Sequence, residues 1–163
     1  MTSLAALQIH DLTEPLHPSF FKAMSHFVSV TELDLRGAAL YNLQTLQRLI
    51  SALRYLEILR VSGLCIKRTR RDGSTATHRQ VVPSSVPVLL RTLGLEASTD
   101  VVQHVHYVHF IEWLIRESIC ESLSHLTLRG PLQRRTYPQP LGPNSSALID
   151  GMIKLIETAG TSF

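Results

Sequence analysis

Three closely spaced histidines are the residues nearest to a metal-binding pattern. His104, His106 and His109 fall within six consecutive residues. On a helix, residues three or four apart are neighbours, so His106 and His109 share a face that His104 does not. No carboxylate or cysteine at a suitable spacing completes a set of zinc ligands. The sequence therefore predicts structural histidines and no metal site.

The candidate nucleophiles form no recognisable catalytic set. Cys65 and Cys120 lie 55 residues apart and neither belongs to a CxxC pair, so we expect free, buried thiols in a reducing compartment. The GxSxG, GxxxxGK[ST], GxGxxG and HExxH motifs are absent. We expect a protein that is not an enzyme and that uses no cofactor and no small-molecule substrate.

The densest charge on the chain is a short basic run. It contains Lys67, Arg68, Arg70 and Arg71, and a thinner cluster contains Arg129, Arg134 and Arg135. Such a run can bind a polyanion or act as a nuclear-localisation signal, and it can also be a solvated loop. The net charge is only +3 and no aromatic residues interleave the run, so base stacking is not supported. Binding to nucleic acid or an anionic surface is an alternative function.

The elements that position these residues are indicated by the spacing of the leucines, which are 26 of the 163 residues. In 30–40 and 56–66, apolar residues occupy relative positions one, four, six, nine and eleven. The first four of these positions are apolar in 4–12, and the first three in 90–95 and 123–128. The sixth positions are Ile9, Leu35, Val61, Leu95 and Leu128, separated by 26, 26, 34 and 33 residues. The first two periods match a leucine-rich repeat.

This repeat predicts an α/β fold, namely a leucine-rich-repeat solenoid. Each L-x-L pair forms a short strand because alternate side chains point to one face. We expect about five parallel strands on the concave face and return helices on the convex face. The alternative is a generic α+β domain with leucine-rich strands. The predicted single domain, 1–163, has a polar basic insertion at 67–80. Its units are about 4–29, 30–55, 56–89, 90–122 and 123–163.

Apolar residues at three- and four-residue steps place the return helices. The predicted helices are 18–27, 42–54, 101–118 and 145–158, the last capped by Asn144 or Ser145. Pro83 and Pro87 predict an extended connection at 81–88 instead of a helix.

The runs 20–35 and 46–61 resemble the divergent leucine-rich repeats of fungal F-box proteins, in particular those of mushroom-forming fungi. The resemblance implies the substrate-recognition part of a ubiquitin ligase, located in the cytoplasm or nucleus, with a protein partner that is a possible degradation substrate. Two features depart from the pattern. No F-box segment is recognised, because Leu4 already belongs to the first strand. Leu12, Ala38 and Leu64 replace the ninth-position Asn or Cys ladder, which predicts irregular turns.

The repeat also predicts a binding surface, because the third, fifth and seventh positions of each unit face the concave side. It places Asp34 beside Arg60 and Glu32 near Arg36. The surface is a partner-binding patch or a solvated sheet face with cross-strand charge pairs. Its candidate residues are Gln8, Glu32, Asp34, Arg36, Arg60, Glu96, His125, Thr127 and Arg129.

The ends of the predicted solenoid raise a further alternative. No apolar run is long enough for a membrane span, so we expect no membrane partner. Neither 4–9 nor 145–163 has the polar character of a capping repeat. We expect either a longer parent chain or self-association through the ends, and a truncated fragment without independent activity is the remaining alternative.

Overall fold

The computed structural model describes residues 4–12, 16–40, 42–66, 89–97, 101–130 and 143–160. Several predictions concern residues outside these ranges. They include the insertion 67–80 with its basic residues Lys67, Arg68, Arg70 and Arg71, the extended connection 81–88, and the pair Arg134 and Arg135.

The described residues form a mixed α/β structure with a five-stranded parallel sheet, a two-stranded parallel sheet and helices. The large sheet has the order β1 (Ala6–His10), β2 (Glu32–Arg36), β4 (Ile58–Ser62), β6 (Thr92–Glu96) and β7 (His125–Arg129). The small sheet pairs β3 (Ala39–Leu40) with β5 (Cys65–Ile66). The helices are α1 (Pro18–Met24), α2 (Leu43–Ala52), α3 (Val101–Arg116) and α4 (Pro143–Gly160), with a short 3-10 helix at Ile119–Ser122.

The strand register follows the sequence repeat without a slip. Every strand of the large sheet begins at the third position of its unit and ends at the seventh. Leu33 lies opposite Leu59, and Leu59 opposite Leu93. A shift of one residue would turn the leucines of a strand to the opposite face. The predicted alignment of all five strands is confirmed.

One face of the sheet packs against the helices and forms the core. Leu33, Leu35 and Leu93 are completely or almost completely buried. Neighbouring helices pack in chain order, α1 against α2, α2 against α3 and α3 against α4. The predicted apolar stripe of α2 is buried through Leu46 and Leu49 because its side chains repeat at the helical period.

The helix ends differ from the predicted ones. Helix α1 ends at Met24 instead of residue 27, and α4 begins at Pro143 instead of residue 145. The proposed cap by Asn144 or Ser145 is therefore wrong, because both lie inside the helix and a proline suits its first turn. Ser145 is buried, and its Oγ lies 3.2 Å from Nδ1 of His104 on α3.

Successive units are joined by the same hydrogen bonds at the start of each strand. The carbonyl oxygen of Ala5 accepts hydrogen bonds from the amides of Thr31 and Glu32 at 2.9 and 3.1 Å. The carbonyls of Thr31, Glu57 and Arg91 each accept two such bonds from the unit that follows. A serine hydroxyl makes an equivalent hydrogen bond at two of these junctions. Ser29 Oγ donates to Leu4 O at 2.8 Å, and Ser122 Oγ donates to Leu90 O at 2.9 Å.

The turns after β2 and β4 are alike, which contradicts the expected irregularity. Gly37 and Gly63 both have φ of +62°, and Asp11 occupies the corresponding position with φ of +50°. A Cβ on Gly37 would lie 2.7 Å from Asp11 Oδ1, and one on Gly63 would lie 3.3 Å from the Gly37 backbone. The Gly37 amide donates to Ser62 O at 2.9 Å. Glycine therefore keeps the turns stacked where an asparagine ladder is absent.

Within the described ranges, no helix is long and apolar enough to cross a membrane.

We expect Gly63→Ala to lower the free energy of unfolding by about 1–2 kcal/mol, because an L-residue is strained in the left-handed region. Gly94→Ala is the matched control. Gly94 is not at positive φ, and its added Cβ would lie 3.5 Å from Arg60 Cγ, an ordinary contact. Urea unfolding measures both variants, and equal stability of the two would contradict the role assigned to the stacked turns.

Candidate functional site

The sheet face opposite the helices carries a groove of about 500 Å³ that crosses β2, β4, β6 and β7. Six of the nine residues predicted for the concave face line it, and Gln8, Glu32 and His125 do not. The lining residues are Asp34, Arg36, Arg60, Val61, Ser62, Thr92, Gly94, Leu95, Glu96, Thr127 and Arg129. We call this cavity the sheet-face groove.

Several of the residues that line the groove are small. Gly94 stands at the middle position of β6, between Arg60 on β4 and Thr127 on β7 in the strand register. Ser62 and Thr92 are short and half-buried. A Cβ added at Gly94 would lie 3.5 Å from Arg60 Cγ, so the stem of Arg60 borders the position of the missing side chain. The lining therefore combines small and hydroxyl-bearing residues with charged side chains.

An ion pair within strand β2 fixes one side of the groove. Asp34 is only 3% exposed, and its Oδ2 accepts hydrogen bonds from Nε and Nη2 of Arg36 at 3.0 and 2.7 Å. The hydrogen bond to Asp34, followed by the negative charge of that carboxylate, raises the pKa of Arg36 above its ordinary value. A carboxylate this buried needs a hydrogen-bonding partner of opposite charge. The Arg36 guanidinium is therefore held against Asp34 on the groove side of the sheet.

A second ion pair joins β2 to β4. Arg60 Nη1 donates a hydrogen bond to Glu32 Oε1. In the register Arg60 lies opposite Asp34, and the guanidinium reaches diagonally past it to Glu32. Asp34 therefore lies beside Arg60 as predicted, whereas Glu32 and Arg36 stand at opposite ends of β2. The ion pairs connect Asp34 with Arg36 and Glu32 with Arg60. Both arginines on this side have a carboxylate partner.

Glu96 and Arg129 differ from these pairs. They lie opposite each other in the register of β6 and β7, and both are exposed. Among the described residues, neither side chain forms an ion pair within 4.0 Å. The β6–β7 side of the groove thus presents one exposed acid and one exposed base side by side.

Tyr107 of α3 ties the end of β6 to the turn after β4. Its hydroxyl accepts a hydrogen bond from the Leu64 amide at 3.0 Å and donates one to the Glu96 carbonyl at 2.7 Å. Burial raises the pKa of Tyr107 to about 12. Sequence reasoning missed this residue. The available signal was a tyrosine within an apolar helix, because a buried hydroxyl requires a partner.

The other candidate residues are dispersed. His104 is buried against α4, whereas His109 is exposed and lies 3.4 Å from Glu112. No cluster of three or more His, Cys, Asp or Glu suited to a metal ion occurs among the described residues. Both cysteines are free thiols. Cys120 is buried, which raises its pKa to about 12, whereas Cys65 is only partly buried.

No protein-family model matches the chain, and no curated protein or solved structure is significantly similar to it. The chemistry of the sheet-face groove is therefore the basis for assigning a function. Its features are a largely polar lining, two internal ion pairs, and the exposed Glu96 and Arg129, which form no ion pair with the other residues that the structure describes.

We expect Tyr107→Phe to lower the free energy of unfolding by about 1–3 kcal/mol, because the Leu64 amide loses its acceptor inside the protein. Chemical denaturation at neutral pH measures the change. Tyr55→Phe is the control, since Tyr55 is 60% exposed. An equal effect of the two substitutions would contradict the assigned hydrogen bonds.

The raised pKa of the Tyr107 hydroxyl predicts that the free energy of unfolding falls at alkaline pH. Because the pKa of Tyr107 is raised from 10 to about 12 in the folded protein, its stabilisation is complete below pH 10 and is lost as the pH rises toward 12. The stability difference between the native chain and Tyr107→Phe should therefore shrink over this interval. Denaturation at a series of pH values measures it, and a constant difference would argue against a buried neutral phenol.

Proposed function

We propose that this chain is a protein-interaction domain of the leucine-rich-repeat type, and that it binds a partner protein in the sheet-face groove. A solenoid interpretation is supported by the five strands in unbroken register and by helices that pack in the same order. In this proposal residues 1–163 form one domain of five units, with strands on the concave side and helices on the convex side.

The observation that carries the proposal is the exposure of two neighbouring, oppositely charged side chains, Glu96 and Arg129. They stand side by side at the groove margin, are exposed, and form no ion pair with each other within 4.0 Å. A surface with both charge signs suits a protein, which can present a complementary base and acid. A polyanion would meet the carboxylates of Asp34 and Glu96 as well as the arginines.

The two internal ion pairs support the same function. Arg36 and Arg60 are already directed by Asp34 and Glu32, so their positions are set before a partner arrives. Fixed side chains lose less conformational entropy on binding.

The resemblance to fungal F-box repeats suggests the class of partner. In that interpretation the groove recognises a protein to be degraded, and the chain supplies substrate recognition to a ubiquitin ligase in the cytoplasm or nucleus. No F-box segment is recognised in the sequence, so the proposal assigns adaptor binding to none of the residues named here.

A pair of charge reversals tests the binding surface. Tagged chain is used to capture partners from extract of the source cell, and the affinity of a purified partner is then measured by calorimetry. We expect Arg129→Glu to weaken binding about tenfold, a loss of about 1.4 kcal/mol, because it reverses the charge at the groove margin.

Arg54→Glu is the matched control, because Arg54 is equally an exposed arginine but follows α2 and does not line the groove. Thermal melting of both variants checks that they are folded. A partner that binds Arg129→Glu as tightly as the native chain, or that is lost only with Arg54→Glu, would contradict the proposed surface.

A further inference from the structure

Among the described residues, the five-stranded sheet ends at β1 on one side and at β7 on the other, and different backbone groups face outward at these two edges. In a parallel sheet, alternate residues direct both their amide and their carbonyl to opposite neighbours. On β1, Ala5 O accepts from Thr31 and Glu32, and the Asp11 amide donates to Arg36 O. The alternation between these contacts leaves the backbone groups of Ala6, Gln8 and His10 facing away from β2.

The outward groups of β7 are the opposite set. The His125 amide donates to Arg91 O at 3.0 Å, and Arg129 O accepts from the Ala97 amide at 2.9 Å. Residues 125, 127 and 129 therefore face β6, and the backbone groups of Leu126 and Leu128 face outward. These are the leucine positions that each internal strand uses to bond to the strand after it.

The two edges are consequently complementary. The outward amides and carbonyls of β7 are at the positions that an internal strand uses to bond to the next strand. Those of β1 are at the positions that an internal strand uses to bond to the preceding strand. If β1 of a second copy lay beside β7, Leu7 would stand opposite Leu126 and Ile9 opposite Leu128. This is the relation that Leu126 and Leu128 already have to Leu93 and Leu95 of β6.

Counting only the residues that the structure describes, the apolar side chains at both edges are less buried than those of the internal strands. Leu126 and Leu128 are partly buried, whereas Leu93 and Leu95 are 0% and 1% exposed. A cavity of about 460 Å³ lies between β7 and α4, and its lining is mostly apolar. Ile156 lines it and is 52% exposed. At the other edge, Leu7 and Ile9 are also only partly buried.

We propose that a second copy of this chain docks head-to-tail, with its β1 edge against the β7 edge and the apolar cavity of the first copy. A second copy supplies the required strand direction, the outward backbone groups and the Leu-x-Ile side chains together. Burial of these side chains drives the association. Such a contact joins different surfaces and can repeat along a chain of copies. The proposal does not depend on the sheet-face groove.

Sedimentation velocity of the full chain over a range of concentrations tests this association. We expect species heavier than the monomer that increase with concentration. Gln8→Pro should remove them, because it deletes an outward amide of β1 without deleting a bond to β2, and proline is tolerated on edge strands in this orientation. Gln8→Ala is the control. It removes the same side chain but keeps the amide, so it should associate like the native chain.

A second variant blocks the other edge. Ile156→Glu places a charge in the apolar cavity and should also leave only monomer. Tyr55→Glu is its control, because Tyr55 is a similarly exposed apolar residue that precedes β4 in the middle of the sheet. Circular dichroism verifies folding of each variant, and Ile156→Glu provides the test of the association if Gln8→Pro fails to fold.

Mixing the two blocked variants distinguishes head-to-tail contact from a symmetric dimer. Gln8→Pro retains its β7 edge, and Ile156→Glu retains its β1 edge. The mixture should therefore form a one-to-one dimer and nothing larger, although each variant alone is monomeric. A native chain that stays monomeric at every concentration would overturn the proposal. The sheet edges would then be binding sites for a different protein. A mixture that stays monomeric would overturn it as well.

Discussion

The structure depends on one recurring hydrogen-bonded junction, in which a carbonyl at the second position of a unit accepts two amides from the next unit. Ala5, Thr31, Glu57 and Arg91 provide this carbonyl in turn. The junction sets where each strand begins, and the two-residue period of the strand then decides which side chains enter the core. In the three inner strands, the apolar residues at positions four and six are buried in the core. The residues between them are left on the opposite face, so the candidate site is a consequence of the same register.

The strand register could be predicted from the sequence because burial repeats at fixed positions. Leu33, Leu59 and Leu93 are separated by unequal intervals, yet they align since each belongs to the same L-x-x-L-x-L pattern. The end of a helix is less determined by such a pattern. Ser145 has the chemistry of a cap, but Pro143 begins α4 and Ser145 bonds to His104 instead. That contact joins two helices that are distant in sequence, which periodicity does not describe.

The groove was only partly predictable for a related reason. Register alone placed Asp34, Arg36 and Arg60 on one face, but the choice of ion pairs depends on side-chain reach across strands. The groove also depends on which residues four strands bring together, among them Gly94 between Arg60 and Thr127. Tyr107 contributes from a helix, through contacts to backbone groups of residues 64 and 96. These features arise from three-dimensional neighbours, and they leave Glu96 and Arg129 as the charges available to a partner.

The central claim is that a partner protein occupies the sheet-face groove. Methyl NMR with selectively labelled threonine tests it most directly, because Thr92 and Thr127 line the groove while Thr45 and Thr158 lie on α2 and α4. When the captured partner is titrated into the labelled chain, the Thr92 and Thr127 signals should shift and those of Thr45 and Thr158 should stay in place. Shifts confined to Thr45 or Thr158 would contradict the account, because they would place the partner on the helices.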